Sequence, residues 1–280
     1  MVETYSQLKN RMIIALTEKS PLPSLEATEI LAAAAGIEKA RLPLLGRDQV
    51  GRDVQAKAEA LLARRLNDEP LAYILGEWDF YGLTFVVTPD VLIPRIDTEL
   101  LARLAIEKAP PNAKILDLCC GSGCLGLAIK HYRSDAAVTL ADISSKALDV
   151  AKQNAARLGL AADFLPCDML AMQSVDFDKY DLVVCNPPYI KSSEIASLDT
   201  TVCEHEPSLA LDGGEDGLVF YRALSDYWAV ANVVSGTLPH LLMEVGECQA
   251  AAVAAMFEGY ATRTHLDTQG IERVVEVFCS

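Results

Sequence analysis

Basic residues are scarce in this sequence. Lysine and arginine together number 24 against 39 aspartates and glutamates, which gives a formal charge of −15 at pH 7. Proteins that bind nucleic acid directly need clustered lysine and arginine to neutralise phosphates. The composition therefore argues against a direct nucleic-acid partner, whereas an acidic chain can offer a face to a basic protein.

Long hydrophobic runs and paired cysteines are also missing. No apolar run approaches the ~20 residues of a membrane helix, and the residues that follow Met1 do not form a secretory signal. Eight cysteines are scattered from Cys119 to Cys279 without a CxxC pair, and the four histidines show no metal-binding spacing. We expect a soluble cytoplasmic protein with reduced thiols, no membrane partner and no metal.

The chain is long enough for one large domain and a smaller one. Residues 1–73 show apolar positions at helical spacing, with a helix start at Pro23 and a stop at Gly36, and predict three or four short helices. Aromatic and β-branched residues around Gly82 predict a β-hairpin linker over residues 74–92. Residues 93–280 form the predicted catalytic domain.

The predicted catalytic domain alternates between strand and helix patterns. A helix is expected to begin near Asp97, and two others are predicted over residues 123–132 and 145–158. This alternation predicts an α/β fold, with a mostly parallel sheet covered by helices on both faces. The predicted strands are Lys114–Leu118, Ala137–Ala141, Ala162–Pro166, Tyr180–Cys185, Leu238–Val245 and Arg273–Phe278.

A glycine-rich turn follows the first of these strands. Gly121, Gly123 and Gly126 match the GxGxxG dinucleotide pattern, and Asp142 closes the next strand, where a carboxylate can bind ribose hydroxyls. An NAD-dependent oxidoreductase and an ordinary strand-to-helix turn are both alternatives. Asp117 before the glycines and Asp168 after the third strand favour S-adenosylmethionine as the cofactor.

The segment Asn186-Pro187-Pro188-Tyr189 follows a buried strand. Each proline fixes φ and restricts the residue before it, so Asn186 and Pro187 are presented stiffly. The Asn186 side-chain oxygen and the Pro187 carbonyl can accept the two N–H bonds of a planar NH2 group, and Tyr189 can lie against its flat face. The segment predicts methyl transfer to a weakly nucleophilic nitrogen, against the alternative of a plain Pro-Pro turn.

The rest of the chain narrows the choice of methyl acceptor. Several different short motifs are distributed along nearly its full length. They are Glu69 to Gly76, Phe80 to Gly82, Val91 to Arg95, Thr98 to Leu100, Glu206-Pro207 and Gly213 to Leu218. With the glycine loop and Asn186 to Tyr189, these motifs resemble the peptide chain release factor glutamine methyltransferases, the PrmC/HemK family.

The resemblance implies a class I S-adenosylmethionine-dependent methyltransferase (Rossmann-like) fold with a small helical N-terminal domain joined by a β-hairpin. It implies N5-methylation of the glutamine in the Gly-Gly-Gln motif of class 1 release factors, which the N-terminal domain helps to dock. The implied cofactor-binding residues are Asp117, Gly121, Ser122, Gly123, Cys124, Leu125, Asp142, Asp168, Met169 and Asn186. Those implied for catalysis or the glutamine are Asn186, Pro187, Pro188 and Tyr189.

Some positions depart from the family pattern or stay open. Cys119 replaces a usual glycine, and we expect it to resist a positive φ, so that the first turn of the loop differs. Two other substrates stay possible, a ribosomal-protein glutamine and, through the shared Asn-Pro-Pro-Tyr, DNA adenine. Arg95 and Glu206 each allow a structural or a site role, and Glu244, which ends a predicted strand, is expected to pack.

Overall fold

The computed structural model describes residues 3–172, 175–235 and 238–278, with the backbone alone at 231–235. Cys279 and the first two residues of the predicted N-terminal domain lie outside the described residues. The chain divides into two compact units, Met1–Glu77 with Asp199–His205, and Trp78–Leu198 with Glu206–Ser280. In the described part of the chain, no helix combines the length and apolar character needed to cross a membrane.

The first unit is helical. Thr4 and Gln7 form a capping box at the start of its first helix, and the second helix begins at Pro23 and ends at Gly36 with a φ of 65°. Apolar side chains such as Leu8, Met12 and Leu31 are fully buried between the helices. The helices are α1 (Tyr5–Leu16), α2 (Pro23–Ala35), α3 (Arg52–Leu66) and α4 (Leu71–Leu75), with a 3-10 turn at Lys39–Leu45.

A two-stranded hairpin follows, formed by β1 (Glu77–Phe80) and β2 (Leu83–Val86). Its two turn residues, Tyr81 and Gly82, have φ angles of 49° and 77°, as a type I′ turn requires. Phe80 and Phe85 are buried, and both pack into the core of the second unit. The hairpin that the aromatic and β-branched residues around Gly82 predicted is therefore confirmed.

The second unit contains a sheet of seven strands in the order β5-β4-β3-β6-β7-β9-β8. The first five run parallel, whereas β9 pairs antiparallel with both β7 and β8. The strands are β3 (Lys114–Leu118), β4 (Ala137–Asp142), β5 (Asp163–Pro166), β6 (Leu182–Cys185), β7 (His240–Glu244), β8 (Ala261–Leu266) and β9 (Glu272–Phe278).

Helices accompany this sheet and supply two apolar cores. One core joins residues such as Leu101, Leu127 and Leu148, and the other joins residues such as Tyr221 and Trp228. These helices are α5 (Thr98–Lys108), α6 (Cys124–Tyr132), α7 (Ser145–Leu158), α9 (Val219–Ser235) and α10 (Ala250–Met256), whereas the short helix α8 (Thr200–Cys203) belongs to the first unit. Short 3-10 turns lie at Phe177–Lys179, Ile195–Ser197 and Ser208–Ala210.

All six predicted strands are confirmed, with ends that shift by up to two residues. One strand, β8 (Ala261–Leu266), was not predicted, and its residues are exposed or half-buried along its whole length. An edge strand of this kind lacks the buried alternation that marks a strand in a sequence.

Candidate active site

The carboxyl ends of the parallel strands meet along one edge of the sheet. β3 lies between β4 and β6, so the strand order reverses there, and open α/β sheets bind their ligands at such switch points. Asp142, Asn186 and Glu244 stand at the ends of three of these strands, and Asp168 follows a fourth. The topology thereby brings the predicted site residues to one edge of the sheet.

The glycine loop after β3 passes repeatedly through left-handed backbone conformations. Gly121 and Gly123 have φ angles of 54° and 76°, and a Cβ at Gly126 would overlap the side chain of Leu140. Cys119 has a φ of 58°, so the expectation that it resists a positive φ is wrong. Cysteine carries a single γ atom and is not β-branched, and its Sγ lies 3.5 Å from the Sδ of Met169.

Asp117 anchors the helix that follows this loop. Its buried Oδ2 accepts a hydrogen bond of 2.9 Å from the backbone N–H of Gly126 in α6. Burial raises the pKa of Asp117 to about 8, and the Gly126 N–H opposes that shift. The carboxyl group therefore links the end of β3 to the first turn of α6, on either side of the glycine loop.

Asp142 binds the loop from the neighbouring strand. Its Oδ2 accepts the N–H of Gly121 at 2.9 Å and its Oδ1 accepts the N–H of Ser144 at 2.9 Å. Burial raises the pKa of Asp142, whereas both backbone bonds lower it. Each carboxylate oxygen can accept a further bond, so the group keeps acceptor capacity for a ligand.

A cavity of about 290 Å³ opens beside these residues, at the lower end of the sizes typical of small-molecule sites. Asp168 lies in its wall, with Oδ1 accepting the N–H of Leu170 at 2.8 Å. The wall includes the predicted residues Gly121, Asp142, Asp168, Met169, Asn186 and Pro188.

A second, smaller cavity of about 40 Å³ lies next to the glycine loop. The hydroxyl of Ser122 is buried in its wall and has no hydrogen-bond partner among the described residues. Asn186 lines both cavities, whereas Gly123, Pro187 and Tyr189 line neither of the two. The predicted residues in the smaller wall are Asp117, Gly121, Ser122, Cys124, Leu125 and Asn186.

The segment after β6 is fixed by hydrogen bonds on both sides. The Asn186 Nδ2 donates to the Thr98 hydroxyl at 3.1 Å, and the Tyr189 carbonyl accepts from the Gln249 Nε2 at 2.9 Å. Pro187 and Pro188 are buried, and Tyr189 is half-buried. The local stiffness that the two prolines impose is therefore reinforced by contacts from distant parts of the sequence.

An ion pair joins two of the motifs beside the larger cavity. Arg95 pairs with Glu206 at 2.5 Å, and Glu206 also accepts the backbone N–H of Ile93 at 3.1 Å. The Glu206 side chain is only 1% exposed. Arg95 and Glu206, whose roles the sequence left open, thus pair with each other and hold residues 93–95 against the start of the 206–210 segment.

Several residues of the cavity wall were not predicted from the sequence. Ile143 and Leu209 are large apolar side chains, 52% and 53% exposed, and both line the larger cavity. Ile143 could have been predicted, because it directly follows Asp142. Leu209 and Phe220, which also line this cavity, have no sequence feature that points to the site. Among the described residues, no group of three or more His, Cys, Asp or Glu is placed to hold a metal ion.

Two family models match this chain. The family model "Methyltransferase small domain" matches residues 95–258, and "PrmC N-terminal domain" matches residues 7–76. A solved methyltransferase from Pyrococcus furiosus, 13% identical, matches with a TM-score of 0.53 over 77% of this chain and 96% of its own, which shows the fold alone.

Two curated relatives carry the same name. A release factor glutamine methyltransferase of Geobacter sulfurreducens is 38% identical over 90% of this chain and 88% of its own. One of Neisseria gonorrhoeae is 35% identical over 91% of this chain and 93% of its own. These matches decide between methyl and hydride transfer in favour of methyl transfer. The chain belongs to the release factor glutamine methyltransferase family.

Proposed function

We propose that this protein transfers a methyl group from S-adenosylmethionine to the side-chain nitrogen N5 of a glutamine, the one in the Gly-Gly-Gln motif of class 1 release factors. The observation that carries the proposal is the position of Asn186, which lines both cavities at the end of a buried strand. The names of the curated relatives support the choice of substrate.

The chemistry of the cavity walls supports S-adenosylmethionine as the cofactor. The larger cavity combines Asp142, which can accept from ribose hydroxyls, with apolar side chains such as Ile143 and Met169 that suit an adenine ring. In the smaller cavity, the unpartnered Ser122 hydroxyl suits the polar amino acid end of the cofactor. When bound, the cofactor supplies an electrophilic methyl on a sulfonium.

Asn186 and Pro187 would orient the acceptor nitrogen. The lone pair of an amide nitrogen is delocalised, so the nitrogen attacks only when it is aimed at the methyl and its N–H bonds are held. The Asn186 Oδ1 and the Pro187 carbonyl can accept those two bonds, and the Tyr189 ring can lie against the amide plane. The nitrogen would take the methyl group from the sulfonium, which would leave as a neutral thioether, and the acidified nitrogen would then release one proton to solvent. Orientation and proximity lower most of the barrier.

The two units suit a division of labour. In this proposal residues 1–73 dock the release factor, residues 74–92 link the units, and residues 93–280 carry out methyl transfer in the cytoplasm, where translation ends. The formal charge of −15 suits a basic partner surface near the Gly-Gly-Gln motif.

The test is methyl transfer to a purified class 1 release factor from labelled S-adenosylmethionine. Wild-type factor should be labelled, whereas a factor whose Gly-Gly-Gln glutamine is replaced by alanine should not. Asn186→Ala should lower kcat by at least about a hundredfold, because it removes one of the two acceptors. Equal labelling of both factors would overturn the assignment, and labelling of a ribosomal protein instead would redirect it.

A further inference from the structure

Glu244 lies beside Asn186 at the carboxyl edge of the sheet. In the parallel pairing of β6 and β7, Cys185 stands opposite Met243, so the next residues of the two strands, Asn186 and Glu244, are neighbours. Glu244 is 2% exposed, and its backbone carbonyl accepts the Tyr221 hydroxyl at 2.8 Å. Burying a carboxyl group is costly unless hydrogen bonds or an opposite charge compensate for the lost hydration.

The Glu244 side chain lies beside the side chains of Thr98 and Asn186. The Asn186 Nδ2 donates to the Thr98 hydroxyl oxygen at 3.1 Å, and the polar groups of Thr98 and Asn186 both lower the pKa of Glu244. Its Oε2 is buried and has no hydrogen-bond partner in the described part of the chain. Glu244 is therefore close to the Asn186 side chain and to Thr98, whose hydroxyl accepts from the Asn186 amide.

The direction of this hydrogen-bond chain matters for the chemistry. An ionised carboxylate only accepts, so Thr98 can approach Glu244 only as a donor, and its oxygen is then free to accept from the Asn186 Nδ2 as observed. The Asn186 Oδ1 is then left to face away from Thr98. A protonated carboxyl group at position 244 can instead donate to the Thr98 oxygen, and Thr98 can then donate to the Asn186 Oδ1. In that arrangement the Asn186 NH2 group points toward the substrate NH2, which needs an acceptor and not a donor.

We propose that Glu244 is a positioning residue for methyl transfer, which fixes the direction of the hydrogen bonds through Thr98 and thereby keeps the Asn186 carbonyl oxygen available to the acceptor amide. The inference rests on the proposed function and deepens it, since it names a residue, outside the Asn-Pro-Pro-Tyr segment, that sets the orientation of the Asn186 amide. Thr98 is the connecting group, and its position at the first turn of α5 holds it against the strand ends.

Glu244 is a buried carboxyl group whose pKa lies near neutral pH. Burial and, to a smaller extent, Asp97 raise the pKa of Glu244 to about 7, against the lowering effects of Thr98, Arg273 and Asn186. Burial also raises the pKa of the neighbouring thiols and phenols, so these groups are neutral at pH 7; they are Cys124, Cys185, Tyr189 and Tyr221. Asp117, whose pKa burial raises to about 8, is another carboxyl group at this edge that titrates close to neutral pH, so the comparison with Glu244→Gln assigns the change to Glu244.

The first experiment measures kcat and KM against pH for wild type and Glu244→Gln. Wild-type kcat should rise through an apparent pKa near 7, as the carboxylate forms. Glu244→Gln should lower kcat about tenfold at pH 8, remove that rise and change the KM for S-adenosylmethionine by less than twofold. Thr98→Val should show the same loss, and Thr98→Ser should restore most of the activity.

A matched control separates positioning from stability. Glu276 is another buried glutamate of the same sheet, 2% exposed, but it pairs with Lys108, His240 and His265. Glu276→Gln should lower the melting temperature and leave kcat and its pH profile unchanged. If Glu244→Gln instead behaves like Glu276→Gln, the positioning role is wrong.

A second readout does not depend on methyl transfer. In protein labelled with 15N-asparagine, the side-chain amide signal of Asn186 is identified by its loss in Asn186→Ala. That signal should titrate near pH 7 in wild type and in Thr98→Ser, but not in Glu244→Gln or Thr98→Val. A signal that ignores Glu244 would overturn the inference, whereas inactive wild type with an intact titration would overturn only the proposed function.

Discussion

At the scale of single residues, the glycine loop shows how far a side chain can depart from its preferred backbone. Cys119 has a φ of 58°, in a region where a Cβ costs about 1–2 kcal/mol. Its Sγ lies 3.5 Å from the Met169 Sδ, in the wall of the larger cavity. The residue therefore combines local strain with packing beside the predicted adenine site, as is common where structure serves a ligand.

Substitutions at Cys119 test this strain directly. Cys119→Gly should keep the loop geometry and the affinity for S-adenosylmethionine within about twofold, because glycine takes a positive φ freely. Cys119→Val should lower the free energy of unfolding by about 1–2 kcal/mol, because a β-branched residue is disfavoured there. Cys185→Val, the same change in a buried strand, is the control for thermal and urea unfolding. Equal losses at both positions would show that the backbone at 119 is not strained.

Asp142 gives a second prediction at this scale. Its carboxylate already accepts two backbone N–H groups, and the proposed ribose hydroxyls would take its remaining lone pairs. Asp142→Asn keeps the size but turns one acceptor into a donor, which should weaken S-adenosylmethionine binding at least about tenfold in calorimetry. Asp149→Asn on the exposed surface of α7 is the control. Unchanged affinity in Asp142→Asn would contradict the ribose assignment.

At the scale of secondary-structure elements, Asn154 ties three segments together. This fully buried residue of α7 exchanges two hydrogen bonds with the backbone of Val86 in the hairpin, at 2.7 and 3.0 Å. Its Nδ2 also donates to the carbonyl of Ser122 in the glycine loop at 2.9 Å. One side chain thus couples the hairpin, a helix and the predicted cofactor loop.

Removal of that side chain should loosen all three elements together. Asn154→Ala leaves the N–H and C=O groups of Val86 and the Ser122 carbonyl without partners, and should lower the free energy of unfolding by about 2–4 kcal/mol. Hydrogen exchange should increase in β2 and in the loop around Ser122. Gln153→Ala, at the exposed neighbouring position, serves as the control. Faster exchange in α7 alone would show that Asn154 does not couple these elements.

The same contacts show which parts of the structure could be predicted from the sequence. The bounds of α2 and α7 follow from local chemistry, since Pro23, Gly36 and Gly159 mark helix ends wherever they lie in the fold. The hydrogen bonds between Asn154 and Val86 join residues 68 positions apart, and the bond between Thr98 and Asn186 joins residues 88 positions apart. Such pairs depend on the strand order, which helical and strand periodicity do not encode.

Predictions of the site divide in the same way. The glycine loop and the Asn-Pro-Pro-Tyr segment were visible because their residues are contiguous. Glu244 gave only the signal of an acidic residue at a strand end, from which a packing role was expected, and nothing in the sequence pointed to Asn186 as its neighbour. Pairing of β6 with β7 was needed to place it beside Asn186.

At the scale of the whole molecule, buried carboxyl groups make stability depend on pH in two opposite directions. Burial raises the pKa of Asp117 to about 8. Lys108 and two histidines hold the pKa of Glu276 down to about 2, against the opposing effect of burial. A raised carboxyl pKa gives stability that is present below the unfolded value and lost as the pH rises. A lowered one gives stability that is present above the unfolded value and lost in acid.

The wild-type protein without cofactor should therefore be most stable at mildly acidic pH. Between pH 4 and 8 the unfolded chain ionises Asp117 while the folded chain resists, so the melting temperature should fall across that window. The growing negative charge acts in the same direction. Asp117→Asn can still accept the Gly126 N–H but does not ionise, so its melting temperature should fall less between pH 5 and 8, with Asp149→Asn as the exposed control. Parallel profiles for wild type and Asp117→Asn would mean that Asp117 ionises without cost in the folded protein, and that its carboxyl is far less isolated from water than its burial beneath α6 implies.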